Sequence, residues 1–302
     1  MSSRLNRREW IGATAALGAA LTPQIAAAQA RRRAETPGSP PPYTISINIE
    51  IMFPRTMSRA DRVRAVAAQG FKAYSYWHAT DQEVAEMIAV QKDTGIKCCS
   101  IVGTGDAGST TGFTMPGQEQ KLLDEFKRYI DVAQRFPEKP DLVSFVGAQQ
   151  KDVPWEKQRA GIVEGLRKAG ELARQGGVYI VVEPVSDGGG RAALSTTARC
   201  YPIIEEVNHP NVRVCFDFYH LQRTEGNLVP NMLQGFEKKL IRLVQIGDNP
   251  GRCEPGTGEI NYAYIFRTLR KLNYTGYLDT EMGSTSTAEY AMAVTRQLAY
   301  AN

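Results

Sequence analysis

The sequence predicts an α/β protein, a single (β/α)8 TIM barrel over residues 44–302, and three observations carry that prediction. From Tyr43 onward, strand-like runs alternate with amphipathic helical segments eight times in about 260 residues, the size of one such barrel, with no change of composition to mark a second domain. Val178 to Glu183 (VYIVVE) is a continuous apolar run, which a strand buried on both faces of a parallel sheet needs. Val212 to Asp217 (VRVCFD) holds a second apolar run, Val212, Val214, Cys215 and Phe216, and it delivers a carboxylate where a buried strand meets a loop, the place where parallel α/β proteins keep chemistry. A doubly wound sheet is the competing fold. It usually needs fewer units, and Gly188-Gly189-Gly190 after the fifth strand lacks dinucleotide-loop spacing.

The units follow in order. Thr44 to Ile51 alternates apolar with polar residues, and Ser58 to Gly70 reads as a helix with an N-capping serine, an apolar face and a terminal glycine. Phe71 to Trp77 is strand-like, and Thr80 to Gly95 is a second capped amphipathic helix. Ile96 to Gly103 is the third strand; a Gly/Thr-rich loop (GTGDAGSTTGF) leads to a helix from Gln118 to Phe136. Leu142 to Gly147 and Trp155 to Gly176 form the fourth unit, Val178 to Glu183 and Ser195 to Val207 the fifth. Strand six is followed by a polar loop and then a helix from Val229 to Lys239. Ile241 to Ile246, Asn261 to Leu272, Gly276 to Glu281 and Ser286 to Tyr300 complete the series.

Ahead of the barrel, Arg7-Arg8 precede an uncharged run from Trp10 to Ala30 that ends in the small-x-small pattern Ala28-Gln29-Ala30. This reads as a twin-arginine signal peptide, residues 1–30, cleaved after Ala30. The expectation is export to the periplasm by the twin-arginine machinery in the folded state, without stable membrane insertion, because the run is rich in Ala and Gly, carries Pro23 and is weakly apolar for a span. Residues 31–43 follow as a short, Pro-rich, disordered tether.

Composition is that of a soluble globular protein, 42% hydrophobic and 23% charged. The formal charge is +4, and loss of Arg4, Arg7, Arg8 and Glu9 with the signal leaves +2, too little for a nucleic-acid surface. Only three histidines exist, His78, His209 and His220, too few for a nuclease of several metals. Of five cysteines, Cys98 and Cys99 are adjacent in a strand and face opposite ways, and none has CxxC spacing, so neither a disulfide framework nor a thiolate metal site is expected.

Glu183 ends strand five, Asp217 strand six and Glu281 strand eight, and Gln245 lies near the end of strand seven. Their separations of 34, 28 and 36 residues are each about one strand-helix repeat. Equivalent positions on neighbouring strands converge at the carboxyl-terminal mouth of a barrel. Three carboxylates gathered there repel one another unless a cation neutralises them, and three carboxylates with one amide oxygen suit Mg²⁺ or Mn²⁺ better than zinc. Taken singly, each residue could equally cap a turn or join an ion pair, and Asp248, three residues after Gln245, competes as the ligand from strand seven.

DFYHLQRTEGNL at 217–228 and LVQIGDNPGRCEPGTGEINY at 243–262 resemble the hydroxypyruvate isomerase branch of the xylose isomerase-like TIM barrels, with VVEPVSD at 181–187 and GYLDTEMG at 276–283 where that family keeps its other two ligands. The likeness extends over residues 44–300 and is strongest from 180 onward. It implies a metal held by Glu183, Asp217, Gln245 and Glu281, with Glu183 and Glu281 as the acid/base pair, and His220, Arg252 and Glu254 toward substrate. It also implies that a homo-oligomer is possible. The implied reaction interconverts an α-hydroxy aldehyde and ketone: the ion polarises the carbonyl, a glutamate removes the acidified proton, and a glutamate returns one to the neighbouring carbon.

Epimerisation beside a ketone and 3-keto-glycoside cleavage or hydration share this machinery, and a non-catalytic sugar-binding protein is the alternative of another class. The family often carries a glutamate in the second strand where this chain has Ser75. Trp77 and His78 then stand at that strand's mouth, where Trp77 would cover an apolar substrate face or pack beneath a loop. Export fits poorly with hydroxypyruvate, so the expected substrate is a small carbohydrate or hydroxy-keto-acid, sugar-like and periplasmic.

Overall fold

A computed structural model describes residues 39–104, 112–186 and 190–301. In it eight parallel strands close into one barrel in sequence order. The elements are β1 (Thr44–Asn48), α1 (Arg59–Ala68), β2 (Ala73–Tyr76), α2 (Asp81–Thr94), β3 (Lys97–Val102), α3 (Glu119–Gln134), β4 (Asp141–Ser144), α4 (Trp155–Gly176) and β5 (Ile180–Val182). They continue with α5 (Thr197–Val207), β6 (Val212–Asp217), α6 (Phe218–Thr224), α7 (Leu228–Glu237), β7 (Ile241–Ile246), α8 (Tyr262–Lys271), β8 (Tyr277–Thr280) and α9 (Ala288–Tyr300).

Local chemistry starts and stops these helices as expected. Ser58 accepts the Asp61 amide, Thr80 and Glu83 form a reciprocal capping box, and Gly95 closes α2 at φ +72°. A continuous apolar core fills the space between the barrel wall and the helices, with Ile47, Phe126, Leu166, Phe216 and Phe266 all buried. A separate small cluster of Val143, Val181, Cys215 and Leu243, packed by Phe145 and Tyr277, fills the barrel interior beneath the mouth.

One segment departs from the sequence reading. The stretch after strand six, read as a polar loop, is the short helix α6, because Asp217 caps it by accepting the Tyr219 amide at 2.8 Å and Phe218 and Leu221 are buried. The signal peptide and most of the tether lie outside the described residues, as do most of the Gly/Thr-rich loop and Gly188-Gly189. The last tether residues are held: Arg270 donates to the Ser39 and Pro40 carbonyls, and the buried Tyr43 packs against Phe266 and Tyr274. Among the described residues, no helix is long and apolar enough to cross a membrane.

Candidate active site

Register brings the proposed site residues together. Asp217 pairs with Gln245, and Gln245 with Asp279, across β6, β7 and β8. Glu281 lies two residues beyond Asp279, on the same face by the alternation of a strand. Glu183 extends β5 by one residue, its amide donating to the Ser144 carbonyl at 3.1 Å. These ends open into a cavity of about 450 Å³ whose lining includes Trp77, Glu183, His220, Gln245, Arg252 and Glu281.

Asp217 is fully buried and uses its two oxygens differently. Oδ1 caps α6; Oδ2, like Glu183 Oε1, is buried without any hydrogen-bond partner. One carboxylate oxygen from each of Glu183 and Asp217 and a ring nitrogen of His220 all lie within 4.8 Å of one another. Nε2 of His220 stands 3.6 Å from Glu183 Oε1 and 3.6 Å from Asp217 Oδ2. The Ser186 amide donates to His220 Nδ1 at 3.2 Å, and the Arg252 guanidinium, a donor only, stands with Nη2 3.3 Å from Nε2, so the ring is held from both of its nitrogens. Burial, reinforced by the Arg252 charge, pushes the His220 pKa down to about 3, and the ring stays neutral.

Arg252 and Gln245 converge on Glu281 from opposite sides. Arg252 Nη2 donates to Oε1 at 2.6 Å, and Gln245 Nε2 donates to Oε2 at 2.7 Å and to Asp279 Oδ2 at 3.2 Å. The Gln245 carboxamide oxygen accepts from the Cys215 thiol at 3.0 Å, so coordination through that oxygen would exchange these partners. Burial is the main reason the Glu183, Asp217 and Glu281 carboxyls all hold their protons more tightly than usual. For Glu183 the charges of Glu281 and Asp217 add to it; for Asp217 and Glu281 the Arg252 guanidinium opposes it.

Three buried carboxylates share one guanidinium, and two of their oxygens meet no donor. An oxygen-rich, net-negative pocket of this kind fits a hard divalent cation, Mg²⁺ or Mn²⁺. Asp248 is not free to compete as a ligand, because its carboxylate accepts four backbone amides, from Asn249, Gly256, Gly258 and Ile260.

Two residues assigned toward substrate differ in placement. Trp77 is half-buried at the cavity wall, with His78 beside it bonded to the Tyr129 hydroxyl at 2.8 Å. Glu254 does not line the cavity; it is buried, and its carboxylate accepts from the amide and hydroxyl of Thr285. Three groups escaped the sequence reading. Asp279 is a fully buried carboxylate bonded by Ser75 Oγ at 2.8 and 2.9 Å, Asn48 donates to that same Ser75, and Ser186 fixes the His220 ring. Strand alternation from Glu281 was a signal for Asp279; nothing in the sequence pointed to Ser186.

The family model described as "Xylose isomerase-like TIM barrel" matches residues 63–298. Hydroxypyruvate isomerase of Escherichia coli (strain K12) is 30% identical over 249 residues, covering 81% of this chain and 95% of that protein. The 2-oxo-tetronate isomerase of Haemophilus influenzae is 28% identical over 241 residues, covering 78% of this chain and 91% of that protein. Among solved structures, an AP endonuclease of family 2 from Brucella melitensis superposes with a TM-score of 0.72 at 23% identity, covering 84% of this chain and 97% of its own, a likeness of fold.

Proposed function

The chain belongs to the xylose isomerase-like TIM barrel family, and from that premise we propose that it is a metal-dependent isomerase or epimerase, which removes a proton beside the carbonyl of an α-hydroxy carbonyl compound and returns one to the neighbouring carbon or to the opposite face of the same carbon. The observation that carries this reading is the pair of buried, donor-less oxygens, Glu183 Oε1 and Asp217 Oδ2, beside Glu281 and Gln245 at the mouth of the barrel. Glu183, Asp217, Gln245 and Glu281 would hold Mg²⁺ or Mn²⁺. Bound there, the ion would polarise the substrate carbonyl and acidify the adjacent C–H.

The chain's own groups would do the rest. Glu183 or Glu281, as a carboxylate, takes the proton from carbon; return by either glutamate to the neighbouring carbon gives the isomer, and return by the other glutamate to the opposite face of the same carbon gives the epimer. A carboxyl whose proton affinity is raised by burial is a stronger base once ionised than an ordinary glutamate, which suits abstraction from carbon. The Arg252 guanidinium would donate to the substrate oxygens where negative charge accumulates, and the neutral His220 ring beside it would contact the same oxygens.

The cavity is roomier than a three-carbon acid requires, and Trp77, Phe145 and Val185 give it an apolar wall that suits one face of a sugar. This favours a sugar-like substrate over hydroxypyruvate, met in the periplasm after twin-arginine export. The test is to strip the protein with chelator, restore Mn²⁺ or Mg²⁺, and offer hydroxypyruvate, a panel of ketoses and 3-keto-sugars. Isomer formation from a sugar, dependent on the ion, is expected. Turnover of hydroxypyruvate alone would sink the sugar reading, and release of water or an aglycone would mark a hydratase or lyase on the same scaffold.

A further inference from the structure

The loop between β7 and α8, residues 247–260, is built on one fully buried carboxylate. Asp248 Oδ1 accepts the amides of Asn249 at 2.9 Å and Ile260 at 3.1 Å; Oδ2 accepts those of Gly256 at 2.8 Å and Gly258 at 2.9 Å. Its own amide donates to the Cys253 carbonyl at 2.8 Å, and its carbonyl accepts the Arg252 amide at 2.7 Å. The closure admits no side chain at Gly258, whose Cβ would lie 1.9 Å from the Asn249 carbonyl oxygen. It also holds Arg252 at φ +51°, a left-handed conformation that an arginine keeps only where its surroundings over-determine it.

A second buried carboxylate fastens the loop's far side. Glu254 accepts from the Thr285 amide at 3.0 Å and from its hydroxyl, and the Gly283 amide donates to the Arg252 carbonyl at 2.8 Å. Between the two anchors the Arg252 side chain lands just beyond β8: Nε on the Glu281 carbonyl at 3.1 Å, Nη2 on Glu281 Oε1 at 2.6 Å and 3.7 Å from Asp217 Oδ2. Neither Asp248 nor Glu254 lines the cavity.

We infer that Asp248 and Glu254 are positioning residues that act through Arg252, holding the loop in the shape that sets its guanidinium against the Glu281 and Asp217 carboxylates. This rests on the proposed function only in placing Arg252 in the active site.

The experiment uses the full chain and its D248N, E254Q and R252Q variants, with the D248N/R252Q and E254Q/R252Q doubles. Two quantities are read: hydrogen exchange at the amides of residues 249, 256, 258 and 260, and the Mn²⁺ dissociation constant by electron paramagnetic resonance. A guanidinium this close to two ligand carboxylates opposes a divalent ion, so R252Q should bind Mn²⁺ about tenfold more tightly. D248N and E254Q should move the affinity in the same direction, and neither should move it further in the R252Q background. D248N should also speed exchange at all four amides.

Unchanged exchange in D248N, or a full-sized affinity shift from either variant in the R252Q background, would overturn the inference. If D248N does not fold, E254Q carries the affinity comparison, since it disturbs only the two Thr285 bonds and leaves the Asp248 closure intact. A wild-type chain that binds no Mn²⁺ would defeat the metal reading instead; exchange, which needs no metal, still tests the Asp248 closure, and unchanged exchange in D248N overturns the inference either way.

Discussion

Glu183 Oε1 and Asp217 Oδ2 are buried carboxylate oxygens, each 3.6 Å from His220 Nε2, that no hydrogen-bond donor reaches among the described residues. A native chain seldom leaves a buried polar atom unpaired without using it, and here the unpaired atoms are anionic and adjacent. Without a cation they repel. Asp217→Asn keeps the cap on α6, because the amide oxygen still accepts from Tyr219, and removes one charge. Chelator-treated Asp217→Asn should therefore be more stable than wild type by on the order of 1–2 kcal/mol. It should lose at least the roughly 10- to 100-fold in Mn²⁺ affinity that even outer-shell changes cost. Thermal melts with chelator and with Mn²⁺ read both effects, and a destabilised variant with unchanged affinity would contradict the arrangement.

Glu183 and Glu281 differ in what a glutamine would disturb. Glu281 receives donors on both oxygens, from Arg252 and Gln245, so an amide there must turn its NH₂ toward one of them. Glu183 Oε1 has no donor to lose. Each substitution should lower kcat by about 10²- to 10⁴-fold at saturating metal, the size of a general acid–base contribution. Only Glu281→Gln should also raise KM, through displaced Arg252. Initial rates over a substrate series separate the two, and a binding protein with no turnover would keep its ligand affinity in both variants.

The ring of His220 is held by the Ser186 amide at Nδ1 and by Arg252 at Nε2, at the cavity wall beside the four proposed ligands, which places it as a partner for substrate oxygen. His220→Phe should lower kcat/KM by roughly 10- to 100-fold, the value of a hydrogen bond to developing charge. Mn²⁺ affinity should change little. A collapse of Mn²⁺ binding in this variant would make His220 a ligand after all.

Much of this arrangement was open to reading from the residues alone. The ranges Trp155–Gly176, Val212–Asp217 and Ile241–Ile246 match the expected elements, because long periodic or continuous apolar runs report burial directly. Helix α6 was missed because its polar His220, Gln222, Arg223 and Thr224 mask a nucleus made by the Asp217 cap and the four buried residues Phe218 to Leu221. The convergence of Glu183, Asp217, Gln245 and Glu281 followed from strand ends one repeat apart. Their partners did not, since Ser75 meets Asp279 across 204 residues and Glu254 meets Thr285 across 31. Those contacts depend on barrel closure and loop geometry, which no local pattern encodes. The Asp217 cap and the Asp217 ligand were rival readings of one residue; the two oxygens allow both.

Far from the mouth, at the start of β4, Asp141 tests the electrostatics of the scaffold. Burial outweighs its ion pair with Arg242, at 2.7 Å, and raises the Asp141 pKa from 3.8 to about 6. The folded chain then binds this proton more tightly than the unfolded chain does. The stability contributed by the protonated carboxyl is full below about pH 4 and is lost as pH rises through 6, at about 1.4 kcal/mol per pH unit over that window. Asp141→Asn cannot ionise, and it can still accept from Arg242. The difference in unfolding free energy, variant minus wild type, should therefore grow in favour of the variant by on the order of 2–3 kcal/mol between pH 4 and 6.5 and stay flat above. Urea unfolding at half-unit pH steps measures it. A difference that shrinks over the same window would mean that the Arg242 pair, and not burial, governs this carboxyl.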